Sequence, residues 1–216
     1  MKYNLKPFKF SSHDKILNLV EKNKKVLDVG CASGYLAFFL KEKGCVVEGV
    51  DTDSESIKEA MNYCKAYVLD ISKEEIKGKY DVIILGDILE HLEYPDKILS
   101  KLKENLNKDG YVVISLPNIV NIYPRLKILF GHFDYEETGI FDKTHLKFFT
   151  RKSLKELVSN TGYKIERLEY TPIPIYLKFP KAPKFLLNFI YYILYILSIS
   201  WPTLFAYQFV VRIKSN

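Results

Sequence analysis

The chain alternates short β-branched apolar runs with amphipathic stretches. Lys25–Gly30 (KVLDVG) is an apolar run closed by glycine, which predicts a buried strand. Tyr35–Lys43 (YLAFFLKEK) reads as a helix, Cys45–Asp51 (CVVEGVD) as a second strand, and Ser54–Asn62 as a helix opened by a capping serine. Ala66–Asp70 and Tyr80–Asp87 (YDVIILGD) predict a third and a fourth strand. Pro95–Asn105 predicts a helix with proline in its first turn. A Lys108-Asp109-Gly110 turn then leads into a fifth strand, Tyr111–Leu116, that stops at Pro117. Strands separated by helical stretches of about 10–15 residues imply βαβ units, hence a parallel sheet with helices on both faces.

After Asn118 this rhythm breaks. Residues 119–150 are irregular, aromatic and histidine-containing. Ser153–Thr161 then predicts a helix, capped by Ser153 and followed by Gly162. Lys164–Tyr170 alternates like a half-exposed strand, and Leu204–Ile213 (LFAYQFVVRI) reads as the last strand. No internal repeat is present.

Ligands of open α/β sheets bind outside the C-terminal ends of the strands. Those ends are Asp28-Val29-Gly30, Asp51, Asp70, Gly86-Asp87 and Pro117-Asn118, so four of the five carry an acid. Capping accounts for any one of them, but less readily for all four. Glycines 30 and 34 allow a sharp turn and a close ligand approach, and the N–H groups opening the next helix face the same space. Asp51 follows Gly30 by 21 residues, as a ribose-binding acid would. The glycine spacing, however, is wrong for a pyrophosphate-binding G-x-G-x-x-G. Asp28 would repel phosphates and would suit a cationic amine or sulfonium.

With 48% hydrophobic residues in 216, the chain supports one α/β domain and excludes a disordered tail. Three cysteines without a CxxC pair argue against a disulfide scaffold or a zinc knuckle and favour a reducing cytoplasm. No metal is expected. The N-terminal MKYNLKPFKFSSHDK lacks the apolar core of a secretory signal. The net charge of +6 invites a nucleic-acid partner, yet residues 1–150 carry 22 basic and 23 acidic side chains. Residues 151–216 carry 10 basic and 3 acidic ones, and no acid follows Glu169. A nucleic-acid partner is therefore not expected.

The motifs narrow the reading further. VLDVGCASGYLAFFL resembles the first motif of class I S-adenosylmethionine-dependent methyltransferases. EGVDTD, YVLD, YDVIILGDILEHLEYPDKIL and LNKDGYVVISLPN resemble the second to the fifth. The segment around GIFDKTHLKFFT is similar to a subgroup that includes many methyltransferases associated with glycan or lipid modification. The likeness runs from Lys24 to Tyr170 and returns at Leu204–Ile213. It implies one α/β domain, a Rossmann-like doubly wound sheet of seven strands, mostly parallel with the last antiparallel. It also implies residues 119–150 as an acceptor-side insertion or lid, and S-adenosylmethionine as cofactor.

The resemblance also implies roles. The turn Gly30, Cys31, Ala32 to Gly34 would border the methionine part of the cofactor, with Asp28 near its amino group. Asp51, with Thr52 beside it, would bind the ribose; Asp70 and Ile71 would hold the adenine edge; Gly86 and Asp87 would floor the sulfonium. Ala32 replaces the usual middle glycine, which matters if that position needs a positive φ. Candidate bases for a hydroxyl acceptor are His91, His145 and Asp87, followed by Asp142 and His132. Each histidine also has a purely structural reading, in capping, packing or loop hydrogen bonding. Phe133 and Tyr135 would wall an acceptor pocket or simply be core.

Phe185–Val211 is uncharged over 27 residues. Its helical part, Phe185–Trp201, is short of the roughly 20 apolar residues of a membrane span, and a last sheet strand follows it. A helical insertion at 173–203 is expected, either buried, or a homodimer interface, or lying on a membrane. Lys178, Lys181 and Lys184 with Tyr191, Tyr192, Tyr195 and Trp201 favour peripheral contact of 178–201 with the inner face of a membrane. The acceptor would be a small molecule, a glycan or lipid-linked, with O-methylation favoured. The competing functions are a nicotinamide-dependent reductase on a similar sheet and a non-catalytic membrane adaptor.

Overall fold

The computed structural model describes residues 8–215. Residues 1–7 of the segment read as carrying no secretory signal lie outside the described residues, as does Asn216. In chain order come α1 (Ser12–Leu19), β1 (Lys25–Val29), α2 (Tyr35–Glu42), β2 (Val46–Asp51), α3 (Ser54–Ala60), β3 (Lys65–Val68) and β4 (Tyr80–Gly86). There follow α4 (Pro95–Lys101), β5 (Leu106–Pro117), α5 (Ile122–Leu129), α6 (Arg151–Asn160), β6 (Tyr163–Thr171), α7 (Ile175–Lys178), α8 (Lys184–Ser200), α9 (Pro202–Phe205) and β7 (Gln208–Ser215). Short 3₁₀ turns cover Leu89–His91 and Leu102–Asn105.

The seven strands form one sheet in the order β3-β2-β1-β4-β5-β7-β6. Only β7 is reversed, running antiparallel to β5 and β6. The Rossmann-like fold expected from the sequence is therefore the one observed. Neighbours along each strand serve opposite cores. Leu27, Val29, Ile83 and Leu85 join Leu99, Leu154 and Val158 on one face. Val26, Val82 and Ile84 join Ile16, Leu36 and Leu40 on the other. Both faces are covered, which is why the strands read as unbroken apolar runs.

Several boundaries differ from the sequence reading. Asp53, not Ser54, caps α3, accepting from the N–H groups of Glu55 and Ser56. Thr150, not Ser153, caps α6; Ser153 is the reciprocal member of its capping box. The Lys108–Gly110 turn is an excursion within β5, whose pairing jumps from Tyr80–Leu106 to Val82–Tyr111. The last strand begins at Gln208 rather than Leu204, because Pro202 opens one more helical turn. Two helices, α1 and α5, were not anticipated.

Candidate functional site

The β1–α2 turn lies at the middle of the sheet. Gly30 and Gly34 have φ of +71° and +82°. A Cβ on Gly30 would stand 2.1 Å from the Ile88 side chain, and one on Gly34 would stand 3.0 Å from the Ala60 backbone. Glycine thus lets the turn approach both the end of β4 and helix α3. Ala32 does sit at positive φ, +43°, a conformation that costs an alanine about 1–2 kcal/mol. Its N–H is not free: it donates to Asp51 Oδ2 at 2.8 Å. Asp51 Oδ1 accepts from the Asp53 N–H at 3.0 Å. The acid ending β2 therefore braces the strained turn.

Asp28 is buried at the same turn, and its Oδ2 has no hydrogen-bond partner. Cys31 turns its thiol inward against Gly49 and Cys64, and burial drives its pKa far up. Only its backbone belongs to the turn's open side.

At the end of β4, Asp87 holds φ +56°. Its Oδ1 accepts from Ser115 Oγ at 2.7 Å and from Gln208 Nε2 at 2.9 Å. Beyond it, Glu90 and His91 ride the 3₁₀ turn. Residues 130–149 lace back over that turn, since Leu146 and Lys147 donate their N–H groups to Glu90 O. This brings His145 against His91, with ring centroids 4.8 Å apart. Asn118 and Asn121 both donate to Ala206 O, fastening the start of the segment to the approach to β7. Tyr123 and Lys127 of α5 bind Glu136 and fasten its middle.

The methyltransferase-domain family model matches residues 2–168. That covers well over half of the chain. The chain belongs to the methyltransferases.

It is a class I enzyme that uses S-adenosylmethionine, and the reductase and adaptor readings fall away. It is 26% identical over 168 residues to a ubiquinone biosynthesis O-methyltransferase of Rickettsia canadensis, covering 74% of this chain and 70% of that one. The corresponding Shewanella sp. (strain ANA-3) enzyme is 30% identical over 64% of this chain and 62% of its own length. Among solved structures, magnesium protoporphyrin IX methyltransferase from Synechocystis, with bound S-adenosylhomocysteine, superimposes with a TM-score of 0.65. Its identity is 17%, over 95% of this chain and 82% of that one. An Archaeoglobus fulgidus S-adenosylmethionine-dependent methyltransferase gives 0.64 at 20% identity, over 93% and 90%.

The methyltransferase's turn fits its cofactor: the orphaned buried oxygen of Asp28 is one that a cationic amino group would satisfy. Other residues singled out in the sequence are placed less directly. Asp70 Oδ1 accepts from the N–H and hydroxyl of Ser72, and its Oδ2 pairs with Lys73 at 2.8 Å. The Lys73 ammonium, then Ser72, hold its carboxyl down at about 2. Contact with a ligand amino group would use its remaining lone pairs. Ile71 packs against the main core, and Thr52 is exposed beyond β2. His132 is exposed and pairs with Asp134 at 3.6 Å, apart from the His91–His145 pair. Asp142 accepts from the Thr144 N–H and hydroxyl.

Three residues close to Asp87 were missed in the sequence. His13 of α1 packs on the Tyr35 ring; its surroundings lower its pKa while the Asp87 charge opposes them. Tyr207 is kept protonated, burial and then neighbouring acids pushing its hydroxyl up to about 12. Gln208 anchors Asp87. The capping pattern of Ser11 with Asp14 was the available signal for α1.

Asp28 gives the fold a pH dependence. Burial, then the Asp51 charge, push its carboxyl up to about 7. Between about pH 4 and 7 the native state keeps a proton that the unfolded chain releases. The stabilising contribution is complete below the unfolded value and is lost as pH rises through about 7, on the order of 3–4 kcal/mol. Denaturant midpoints should fall across this window more steeply in the wild type than in Asp28→Asn, whose remaining slope comes from other shifted groups such as Glu90, which burial also pushes up. Parallel curves would remove Asp28 as the source.

Proposed function

We propose that this methyltransferase methylates a hydroxyl oxygen of a small amphipathic acceptor, lipid-linked in its natural form, at a membrane surface. The observation that carries the reading is one juxtaposition. His145 belongs to the segment 119–150 and meets His91 where that segment folds back, and the same segment exposes Leu129 at the end of α5 and Phe130 just past it at 74% each. Lys178 of α7 sits 3.8 Å over the Tyr123 ring of α5, joining that surface to the apolar α7–α8 face. The named O-methyltransferases of ubiquinone biosynthesis support an oxygen acceptor of this character.

When bound, the cofactor supplies an electrophilic methyl group with a neutral leaving group. The chain's own work is placement and proton removal. Gly30 to Gly34 border the methionine part, Asp28 takes the amino group, and Asp51 takes the ribose hydroxyls. Asp70 and Ile71 face the adenine. Gly86 and Asp87 form the floor, with Asp87 fixed by Ser115 and Gln208. The acceptor hydroxyl meets His91 and His145, and its proton leaves toward that cluster.

The intact chain, methyl-labelled cofactor and two extracts of the source cells test this. Label should enter the organic-soluble lipid fraction and survive mild alkali, as an ether does. Label confined to the water-soluble fraction, or released by alkali, would sink the reading.

A further inference from the structure

Among the described residues, Glu90, His91 and His145 form a cluster in which acceptors face acceptors. His91 Nδ1 lies 3.2 Å from the Thr144 carbonyl and 3.0 Å from the Thr144 hydroxyl, which itself donates to Asp142. His145 Nδ1 lies 3.2 Å from the Ile140 carbonyl. A carbonyl oxygen can only accept, so both rings carry their proton on Nδ1. That leaves a lone pair on Nε2 of each ring.

The Nε2 of His145 points at Glu90 Oε1, 4.0 Å away, with both side chains at most 5% exposed. Glu90 Oε2 is buried with no hydrogen-bond partner. The three side chains each offer a ligand atom within 4.8 Å of the others. Among the described residues no lysine or arginine pairs with Glu90, Asp87 or Asp142. Two nitrogen lone pairs and a buried carboxylate thus converge with nothing positive between them.

We infer that Glu90, His91 and His145 bind a divalent first-row transition-metal cation on the acceptor side of the methyltransferase. Two imidazoles and one carboxylate form a donor set such ions take, leaving positions open for a substrate oxygen. The carbonyl oxygens behind both Nδ1–H groups are the outer contacts that orient metal-binding histidines. Two separate parts of the chain supply the ligands, the 3₁₀ turn after β4 and the lid segment. They are held together by the hydrogen bonds from Leu146 and Lys147 to Glu90 O. No zinc-type spacing announces the site, because its ligands come as an adjacent pair and a histidine 54 positions on. The inference rests on the acceptor-side reading above and changes one role in it: an acceptor hydroxyl on the cation would be more acidic and release its proton to water, the imidazoles serving as ligands rather than as bases.

Cobalt(II) tests the site without turnover. The full chain, stripped with a chelator, should bind one equivalent, with the visible absorption of nitrogen and oxygen ligation and no sulfur-to-metal charge transfer. Glu90→Gln and His145→Gln should each weaken binding ~100-fold or more, beyond the 10–100-fold typical of outer-contact losses. His91→Gln is the companion variant should either unfold, and melts of all three confirm the fold. Cofactor affinity is measured in the same samples. Cofactor binding without cobalt binding, equal cobalt binding by wild type and variants, or a sulfur band from the cysteines each overturns the metal site. Cobalt binding without cofactor binding would count against the function instead.

Discussion

Asp51→Ala should weaken S-adenosylmethionine binding by two to three orders of magnitude in a calorimetric titration. Two contributions are lost in the variant. A carboxylate bound to two ribose hydroxyls contributes about 1.5–3 kcal/mol per hydrogen bond. The same carboxylate accepts the N–H of Ala32, a non-glycine residue held at φ +43°. Without Asp51 the turn loses that restraint where the methionine part should lie. Taking the low end for both bonds and a small further loss at the turn, these amount to about 3–4 kcal/mol, or ~10²–10³ in affinity. Asp51→Asn separates the parts, since its amide oxygen still accepts from Ala32 while the charge is gone. It should fall between wild type and Asp51→Ala in affinity, and melt somewhat below wild type without ligand, because its amide nitrogen would face the Asp53 N–H from which Oδ1 now accepts. An affinity unchanged in Asp51→Ala would place the ribose elsewhere.

This part of the candidate site was legible in the sequence because its residues lie next to strong local signals. Asp28, Asp51 and Asp87 each end or follow a β-branched run, and strand ends in an open sheet share one edge. Asp70 shows the limit of that reasoning. It also follows a strand, yet both of its oxygens are taken by its own turn, as capping chemistry alone would predict. The Glu90–His145 approach was not legible, because it depends on how residues 130–149 fold back, which no periodicity encodes. Helix α5 was hidden for a related reason. Pro124 looks like a breaker but sits in the first turn, where an N–H is not needed. Around Leu204 the apolar residues are continuous, and helix and strand are then indistinguishable by period.

The C-terminal insertion carries the second large expected effect. Helix α8 is neither a core helix nor a span. Of its 17 residues only Leu187, Tyr191 and Ser198 are buried. Leu187 and Tyr191 form a small cluster with Ile175, apart from both faces of the sheet. Lys15 ties the helix down by bonding Glu169 of β6 and Tyr195. No helix among the described residues is long and apolar enough to cross a membrane. The outward stripe nevertheless exposes Phe185 at 77%, Phe189 at 64% and Ile193 at 42%. Lys178, Lys181 and Lys184 precede it, exposed and without a nearby acid in the sequence.

On the proposed membrane reading, such a helix would lie in the plane of a bilayer surface, its apolar stripe among the acyl chains and its lysines at the headgroups. Burying a phenylalanine side chain contributes about 1.5–3 kcal/mol, and each lysine near an anionic surface about 1 kcal/mol. The triple change Phe185→Glu, Phe189→Glu and Ile193→Glu should reduce co-flotation with anionic liposomes by at least ~100-fold. These side chains face outward, so the ligand-free melting temperature should stay near wild type. High salt, or liposomes of neutral lipid, should weaken wild-type flotation by a smaller factor, since the lysine contribution alone is screened. Undiminished flotation of the triple variant would remove the membrane contact. A shift from dimer to monomer in the variant, with flotation unchanged, would assign the stripe to a second copy of the chain. The membrane reading requires the stripe to be free in the dissolved enzyme and covered only when liposomes are added, and solvent accessibility of Phe189→Cys to a thiol reagent with and without liposomes reads that difference directly.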